Sequence, residues 1–450
     1  MASTILLAIT LIVFALVALP SLGYLKTALF CFLITCVVAP FPIFLWSSEA
    51  PNHTGITYAT PAVLTYTSAL VALLLGLIHK WKRNGLLLGY GCVVLIYLIV
   101  GIFAVWSGAG EQWAGLIHLV SAVVALAVGY QFGSQLNPSV YRFLIGTILF
   151  LLVINLLLCF AQLSGLPLTL FPDQLANQLQ YGRPVGTFGH SSTPGKFILM
   201  MFVVLLPALR SYDSATRRMA WWSVGVAVPL VAITLARANL AAVVAAIGLW
   251  LIWDRGSRKA NSKRLFLLIA AFAVSAPVLA ATLDRFSSDP GGGDRAVIYH
   301  TGLKQLESNL WEGTGPNYYA EDVGRWDQMT AWGFPLHNSF LYPVAEIGLV
   351  GGLLFLLPVF VVCAIAIVDC IRGGDVSLWS KSYLVTFPGL VAIAMTGWGM
   401  LVGSTLCLWY FVIGFAVSRM VKKDCYILTN QTEAALAGTS NVRIPPARVQ

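Results

Sequence analysis

The chain has 450 residues, of which 58% are hydrophobic and only 10% are charged. Soluble globular proteins carry about 25% charged residues, so this composition excludes an ordinary soluble domain. The formal net charge of +9 comes from short basic clusters between apolar stretches. Such clusters are typical of the cytoplasmic loops of membrane proteins, and we therefore expect no nucleic-acid partner.

Apolar stretches recur along nearly the whole chain and predict an all-α, polytopic transmembrane helical bundle. Stretches of about 18 to 22 residues can cross a hydrocarbon core of about 30 Å as helices, which satisfy their own backbone hydrogen bonds. We expect about 12 spans, with about 13 as the alternative, because the N-terminal region has too few basic residues to fix its orientation. The stretches cover residues 4–20, 25–46, 61–78, 86–106, 112–130, 143–164, 193–209, 219–235, 238–253, 265–283, 339–368, 382–398 and 401–418.

Two polar segments interrupt this pattern, at residues 165–192 and 284–338. If the basic clusters face the cytoplasm, both segments are outer loops of one transmembrane domain at residues 1–428. The second loop holds eight of the chain's 18 acidic residues and is predicted to be partly helical. Residues 429–450 are polar and predict a disordered C-terminal tail.

The region from Met219 to Trp253 is almost wholly apolar. As a single helix it would be about 50 Å long, which exceeds the thickness of a membrane. A helical hairpin with its apex at residues 236–239 avoids this problem. The hairpin would place the guanidinium of Arg237 at the outer surface.

Four arginine and histidine residues are predicted to converge on the outer side. Arg183 and His337 each lie just before a span, Arg237 lies at the hairpin apex, and Arg295 follows a run of glycines. Arginine grips phosphate oxygens with a rigid fork of donors, and histidine is the commonest general base. The set indicates transfer of a group from a phosphorylated lipid. Two weaker histidine candidates lie in the same loops, His190 and His300.

Each of these residues also has a structural explanation. Arg237 could extend to the membrane interface, Arg183 could be a solvated turn residue, and Arg295 could pair with a nearby carboxylate. His337 could simply begin a helix that Asn338 caps. The acidic residues of the outer loop have no spacing that resembles a metal-ligand set, so no metal site is predicted.

The order and spacing of four elements together resemble the bacterial O-antigen ligase and O-antigen polymerase superfamily. Residues 183–190 resemble its RxxGxFxHPN-type element, although serines and a threonine follow where Pro-Asn is common. Residues 235–237 resemble its serine-arginine apex, with Ala236 in place of the serine. Residues 294–315 resemble its arginine-led loop ending in a glycine turn, and residues 337–349 resemble its HNxxL…ExG signature.

The resemblance implies a metal-independent, inverting glycosyltransferase without a cofactor. It would move a glycan from undecaprenyl pyrophosphate to an acceptor hydroxyl at the periplasmic face of the bacterial inner membrane. By this resemblance Arg183, Arg237, Arg295 and Asn338 would bind the donor, and His337 would deprotonate or orient the hydroxyl. The partners implied are the lipid-linked donor, a glycan or lipid A-core acceptor and membrane lipids, with a chain-length regulator left open.

Three functions stay open at this point. A polymerase of O-antigen or exopolysaccharide is favoured over a ligase to lipid A-core, because the outer loop is modest and nothing marks a site for a large acceptor. A lipid-linked sugar transporter or flippase would need broken helices or ionisable groups near the midplane, and the sequence indicates neither apart from Glu346. We interpret Glu346 as structural rather than catalytic. Aromatic residues that would stack on sugars or anchor the loop at the bilayer are Trp311, Tyr318, Tyr319, Trp326 and Trp332.

Overall fold

The computed structural model describes residues 17–38, 63–81, 84–166, 183–188, 190–253, 295–332, 334–372, 377–397 and 399–422. Regular structure within these ranges is helical, and no strand occurs there. The helices are α1 (Tyr24–Val37), α2 (Val63–Leu77), α3 (Gly85–Ala104), α4 (Gly110–Gln135), α5 (Pro138–Leu163), α6 (Thr193–Ala208), α7 (Ser214–Ile233), α8 (Arg237–Trp253), α9 (Arg295–Asn309), α10 (Tyr319–Val323), α11 (Gln328–Ala331), α12 (Leu341–Ile371), α13 (Leu378–Met395) and α14 (Gly403–Lys422).

Six of these helices are long and apolar enough to cross a membrane: α3, α4, α5, α12, α13 and α14. Four shorter apolar helices accompany them: α1, α2, α6 and α8. An all-α integral membrane protein is therefore confirmed, whereas the total of about 12 spans stays a prediction. The stretch predicted at residues 265–283 and the tail at residues 429–450 lie outside the described residues.

The break predicted within residues 219–253 is present, but the turn lies at residues 234–236 rather than at the predicted apex of residues 236–239. Helix α7 ends at Ile233 and α8 begins at Arg237. The chain turns between them through Leu235, whose φ of 55° lies in the left-handed region. Because the Leu235 side chain disfavours this conformation, the packing of α7 on α5 and of α8 on α13 must hold the turn in place.

The centre of the bundle is α14, the most enclosed of the six long helices, which packs closely on α4. Gly129 of α4 lies against the carbonyl oxygen of Phe411, and Gly414 of α14 lies against the carbonyl oxygen of Leu126. Small residues let transmembrane helix backbones approach closely, and this proximity gives the pair its van der Waals contact. Large apolar side chains on α3 instead point outward, where lipid can cover them.

Replacing Gly414 with alanine should destabilise the protein by about 1–3 kcal/mol, because the new methyl group would overlap the Leu126 carbonyl. Gly225 of α7 has open space at the same position and provides the control. We expect Gly225→Ala to be neutral or slightly stabilising, since alanine favours helix over glycine. Thermal unfolding of both variants in detergent tests this prediction. Equal stability of the two would show that the α4–α14 approach is looser than described.

Candidate active site

Hydrogen bonds join the segment around His337 to the end of α13 and to the loop that follows it. The backbone N–H of Ser339 donates to the carbonyl of Ala394 at 2.7 Å, and its hydroxyl donates to the carbonyl of Gly397 at 2.6 Å. On another side of this region, Asn239 near the start of α8 donates from Nδ2 to the Ser192 carbonyl at 2.5 Å. The two sets of contacts meet at α6, because Gly399 in the loop after α13 lies against Nζ of Lys196, which donates to the Ser192 hydroxyl.

The hydrogen bond of His337 defines which of its ring nitrogens is available. Nδ1 lies 2.6 Å from the carbonyl oxygen of Pro335. A carbonyl can only accept, so Nδ1 carries the proton, and in the neutral ring Nε2 has the lone pair. The half-buried imidazole is therefore held in the tautomer that a general base requires, with Nε2 as the basic atom.

The surroundings of His337 favour its neutral form. Burial lowers the pKa of His337 most, and the positive charges of Arg295 and Lys196 lower it further. The hydrogen bond to Pro335 acts in the opposite direction without reversing the shift. At neutral pH the ring is therefore largely unprotonated and able to accept a proton.

The side chain of Asn338 caps the start of α12, as one of the two interpretations of this residue predicts. Its Oδ1 accepts from the backbone N–H groups of Phe340 at 2.9 Å and Leu341 at 3.1 Å, where α12 begins. The side chain is buried. Its amide Nδ2 donates to no residue in the described ranges, so Nδ2 is the group through which Asn338 would contact a substrate.

Arg295 is the first residue of α9, and packing of this helix places it near His337. Gly302 of α9 leaves no room for a side chain against Leu336, directly before His337. One turn further, Gln305 donates from Nε2 to the Ala345 carbonyl of α12 at 3.1 Å. The exposed Arg295 is thus close enough for its charge to lower the pKa of His337. Its predicted pairing with Asp294 concerns a residue outside the described ranges.

The backbone around the other two arginines, Arg237 and Arg183, is held by hydrogen bonds. Arg237 is half-buried at the first position of α8, two residues before Asn239, whose side chain reaches Ser192. Arg183 is half-buried in a loop fixed to α5, because Gln162 accepts from the backbone of the loop at 2.9 and 3.0 Å. Among the described residues, no hydrogen bond or ion pair links Arg183 to His337 or Arg295.

Three residues that sequence reasoning ranked low or missed form a linked polar group. Lys196 donates from Nζ to the Ser192 hydroxyl at 3.1 Å, and this hydroxyl lies 2.8 Å from Nδ1 of His190. His190 has exposed surface but is closely surrounded by protein. Burial by that protein, followed by the charges of Lys196 and His337, lowers the pKa of His190 to about 4. The sequence feature that could have indicated this group is Lys196 itself, the only ionisable residue in an otherwise apolar helix. An ionisable group in such a helix usually has a function.

Glu346 fixes the loop that follows α9. The fully buried carboxylate accepts from the backbone N–H groups of Asn317 at 2.7 Å and Tyr319 at 3.3 Å. The Glu346 carbonyl also accepts from Gly315 at 2.7 Å. These contacts agree with the structural interpretation of this residue.

Helix α12 is interrupted directly after Glu346, a break that the sequence did not indicate. Ile347 and Gly348 have non-helical backbone angles, and the φ of Gly348 is +71°. Gly348 lies against the carbonyl of Trp311, and Leu349 donates to the Leu310 carbonyl at 2.8 Å. The break lies about two turns into α12 rather than at its middle, and the loop after α9 satisfies its backbone groups. It therefore does not resemble the interrupted midplane helices of transporters.

The aromatic residues of the outer loop divide into two groups. Trp311, Trp326 and Trp332 are exposed, so their faces are accessible to sugars or lipid headgroups. Tyr319 is fully buried with its ring centroid 5.2 Å from that of Tyr342, so it cannot stack on a sugar. Among the described residues, no group of three or more His, Cys, Asp or Glu side chains could hold a metal ion.

Residues 222–356 match the family described as O-Antigen ligase. This region of the chain is similar to the O-antigen ligase family. The match supports the resemblance to the O-antigen ligase and polymerase superfamily, and with the apolar helices it indicates a membrane enzyme of ligase or polymerase type. Comparison with curated proteins and with solved structures gives no match.

The matched region includes the turn between α7 and α8, α9, the His337 segment and the break in α12. Arg237, Arg295 and His337 are therefore within the matched region. Arg183 and Lys196 precede it. The group formed by Lys196, Ser192 and His190 is thus a feature of this chain that the family match does not assign.

Proposed function

We propose that this protein is an inverting, metal-independent polysaccharide polymerase of the bacterial inner membrane. It would transfer a glycan from undecaprenyl pyrophosphate to the hydroxyl of an acceptor glycan at the periplasmic face, building O-antigen or exopolysaccharide. The family match supports a ligase or polymerase. The specific donor, acceptor and membrane face belong to the proposal.

One observation carries the proposal: the neutral imidazole of His337 keeps Nε2 as an acceptor while Nδ1 donates to Pro335. Transfer of a glycan to a hydroxyl requires a group that removes or orients the hydroxyl proton. In this arrangement Nε2 of His337 accepts that proton. The Pro335 carbonyl then stabilises the imidazolium, because it still accepts the Nδ1 proton in the charged form.

The bond changes follow from this geometry. The acceptor oxygen forms a bond to the anomeric carbon as its proton passes to His337. The bond between that carbon and the pyrophosphate oxygen breaks, and the leaving oxygen keeps the electron pair. Attack from the face opposite the leaving group inverts the anomeric configuration, and no covalent enzyme intermediate is needed.

The departing pyrophosphate gains negative charge, which fixed cations stabilise. Arg295 begins α9, which packs through Gly302 on Leu336 directly before His337, and Arg237 lies two residues from Asn239, which contacts Ser192. Bidentate arginine–phosphate contacts supply positive charge without a metal ion. Arg183 and the Nδ2 group of Asn338 complete the proposed donor contacts.

A ligase that transfers a finished glycan to lipid A-core is the second candidate, and the description of the matched family favours it. Ligase and polymerase share the same donor chemistry, so His337 and the arginines have the same roles in both. The acceptor alone differs.

The deciding experiment is a profile of surface glycans and carrier-linked lipids in a strain that lacks this protein. The strain is complemented with the unaltered protein or with His337→Ala. A polymerase predicts single repeat units without long chains in the deletion and in the variant. A ligase predicts full-length chains that remain on the lipid carrier.

Normal glycan profiles in the deletion strain, with no other gene able to replace this one, would contradict both candidates. Restoration of long chains by His337→Ala would contradict the general-base role alone. Expression of the variant in the membrane at the unaltered level is the control for folding.

A further inference from the structure

Lys196 has an unusual environment for a charged side chain. It lies near the start of α6 with only 6% of its surface exposed, and the helix is otherwise apolar. Its one hydrogen bond in the described ranges is to the Ser192 hydroxyl, and no described carboxylate lies within ion-pair distance. Burying an ammonium group is costly unless an opposite charge or several hydrogen bonds compensate. A second compensating group is therefore expected.

The backbone around Lys196 is shaped to keep its ammonium group beside the His337 segment. Gly399 lies directly against Nζ, and any side chain at this position would overlap the ammonium. Gly397 of the same loop accepts the hydrogen bond from Ser339, two residues after His337. One short loop therefore contacts both Lys196 and the segment that holds the proposed base.

His190 is oriented as a second donor. The backbone N–H of Ser192 donates to Nδ1 of His190 at 3.1 Å, and an N–H group can only donate. Nδ1 is therefore unprotonated, and the neutral ring carries its proton on Nε2. Lys196 and His190 thus each have an N–H donor group, and the Ser192 hydroxyl lies between the two side chains.

The charges in this region have the same sign. Lys196 and Arg295 both lower the pKa of His337, so both positive charges act on this ring. Like charges in a partly desolvated site repel each other, and a bound anion would relieve the repulsion. The N-terminus of α6, which begins at Thr193, adds the positive end of a helix dipole next to Ser192.

We propose that Lys196 and His190, together with Arg295, form a subsite for the pyrophosphate of the lipid-linked donor. Lys196 supplies a fixed positive charge, and His190 donates from Nε2 to a phosphate oxygen. The inference rests on the proposed function, because it assigns the leaving group of that reaction to the α6 side of His337. The acceptor hydroxyl then approaches His337 from another side.

Binding of farnesyl pyrophosphate, a soluble lipid pyrophosphate, tests this subsite. The purified full-length protein in detergent is titrated calorimetrically, with farnesol as the uncharged control. We expect Lys196→Met to weaken farnesyl pyrophosphate binding by about tenfold or more, since a hydrogen bond to a charged group is lost. Lys304→Met is the matched control, because Lys304 is exposed on α9 above the Trp326 ring and outside the subsite. Its affinity should stay unchanged.

The outcomes separate the subsite from the proposed function. Weakened binding for Lys196→Met and Arg295→Gln, but not for Lys304→Met, supports the subsite. Unchanged affinity for Lys196→Met with loss for Arg295→Gln overturns the role of Lys196 and leaves the proposed function standing. Failure of the unaltered protein to bind farnesyl pyrophosphate in preference to farnesol overturns both.

Folding of the lysine variant is checked by thermal unfolding without ligand. Lys196→Met should be at least as stable as the unaltered protein, because methionine suits the apolar helix and removes a buried charge. If this variant does not fold, His190→Ala replaces it, since His190 lies in a loop with exposed surface. Its affinity should fall several-fold, and an unchanged value would overturn the subsite.

Discussion

Replacing His337 with glutamine should reduce the rate of glycan transfer by about 10²- to 10⁴-fold, the usual contribution of a general base. Glutamine keeps most of the side-chain volume but has no basic nitrogen that can accept the proton of the acceptor hydroxyl. Donor binding should change little, because the proposed phosphate contacts come from the arginines and from Lys196. The measurement is single-turnover transfer from a lipid-linked glycan by purified protein, with donor affinity determined separately.

His300→Gln is the matched control for this variant. His300 is exposed on α9, the helix that carries Arg295, and no role in the reaction is proposed for it. Its rate should equal that of the unaltered protein. A His337→Gln enzyme with nearly full transfer rate would contradict the general-base assignment, even if the donor is correctly identified.

The pKa shift of His337 predicts how kcat/KM depends on pH. Burial and the charges of Arg295 and Lys196 lower the pKa of His337 below its usual value of 6.5. The neutral ring is the active form, so kcat/KM should be constant at and above neutral pH. It should fall only when the pH drops below the usual histidine pKa of 6.5. Arg295→Gln removes one of these positive charges, so it should move the acidic limb to higher pH. A limb that moves to lower pH would contradict the proximity of Arg295 to His337.

Properties that depend on local sequence were predictable for this chain. Length and hydropathy required a break within residues 219–253, and the structure places it at residues 234–236, directly before Arg237. The start of α6 at Thr193 agrees with the predicted stretch. A membrane imposes a minimum and a maximum length on each helix, so apolar length alone carries this information.

Properties that depend on the meeting of distant segments were not predictable. Lys196 looks like an irregularity in an apolar stretch, and its importance is visible only with Ser192, His190 and the Gly399 loop in place. The break at Gly348 likewise depends on a loop more than 30 residues earlier in the sequence. Hydropathy describes the contact of each segment with lipid, but it contains no information on which segments pack together.

Replacing Glu346 with alanine should destabilise the protein by about 2–6 kcal/mol. The carboxylate accepts from the backbone N–H groups of Asn317 and Tyr319 in a fully buried position. Each buried donor left without a partner costs about 1–3 kcal/mol. Glu346→Gln keeps one carbonyl oxygen as acceptor, so its effect should be smaller. Thermal unfolding in detergent measures both variants, with the exposed Glu307→Ala as the control.

Glu346→Ala should also reduce activity, although Glu346 does not contact the proposed reacting atoms. Gly313 packs on the Glu346 backbone, Gly315 donates to the Glu346 carbonyl, and α9 ends shortly before both glycines. A loosened loop would let α9 shift and would move Arg295 away from His337. Protease cleavage within residues 310–319 should therefore rise in parallel with the loss of kcat/KM, and bound farnesyl pyrophosphate should oppose both changes. Loss of activity without increased cleavage would instead indicate a direct catalytic role for Glu346, because a structural residue acts only through the loop that it holds.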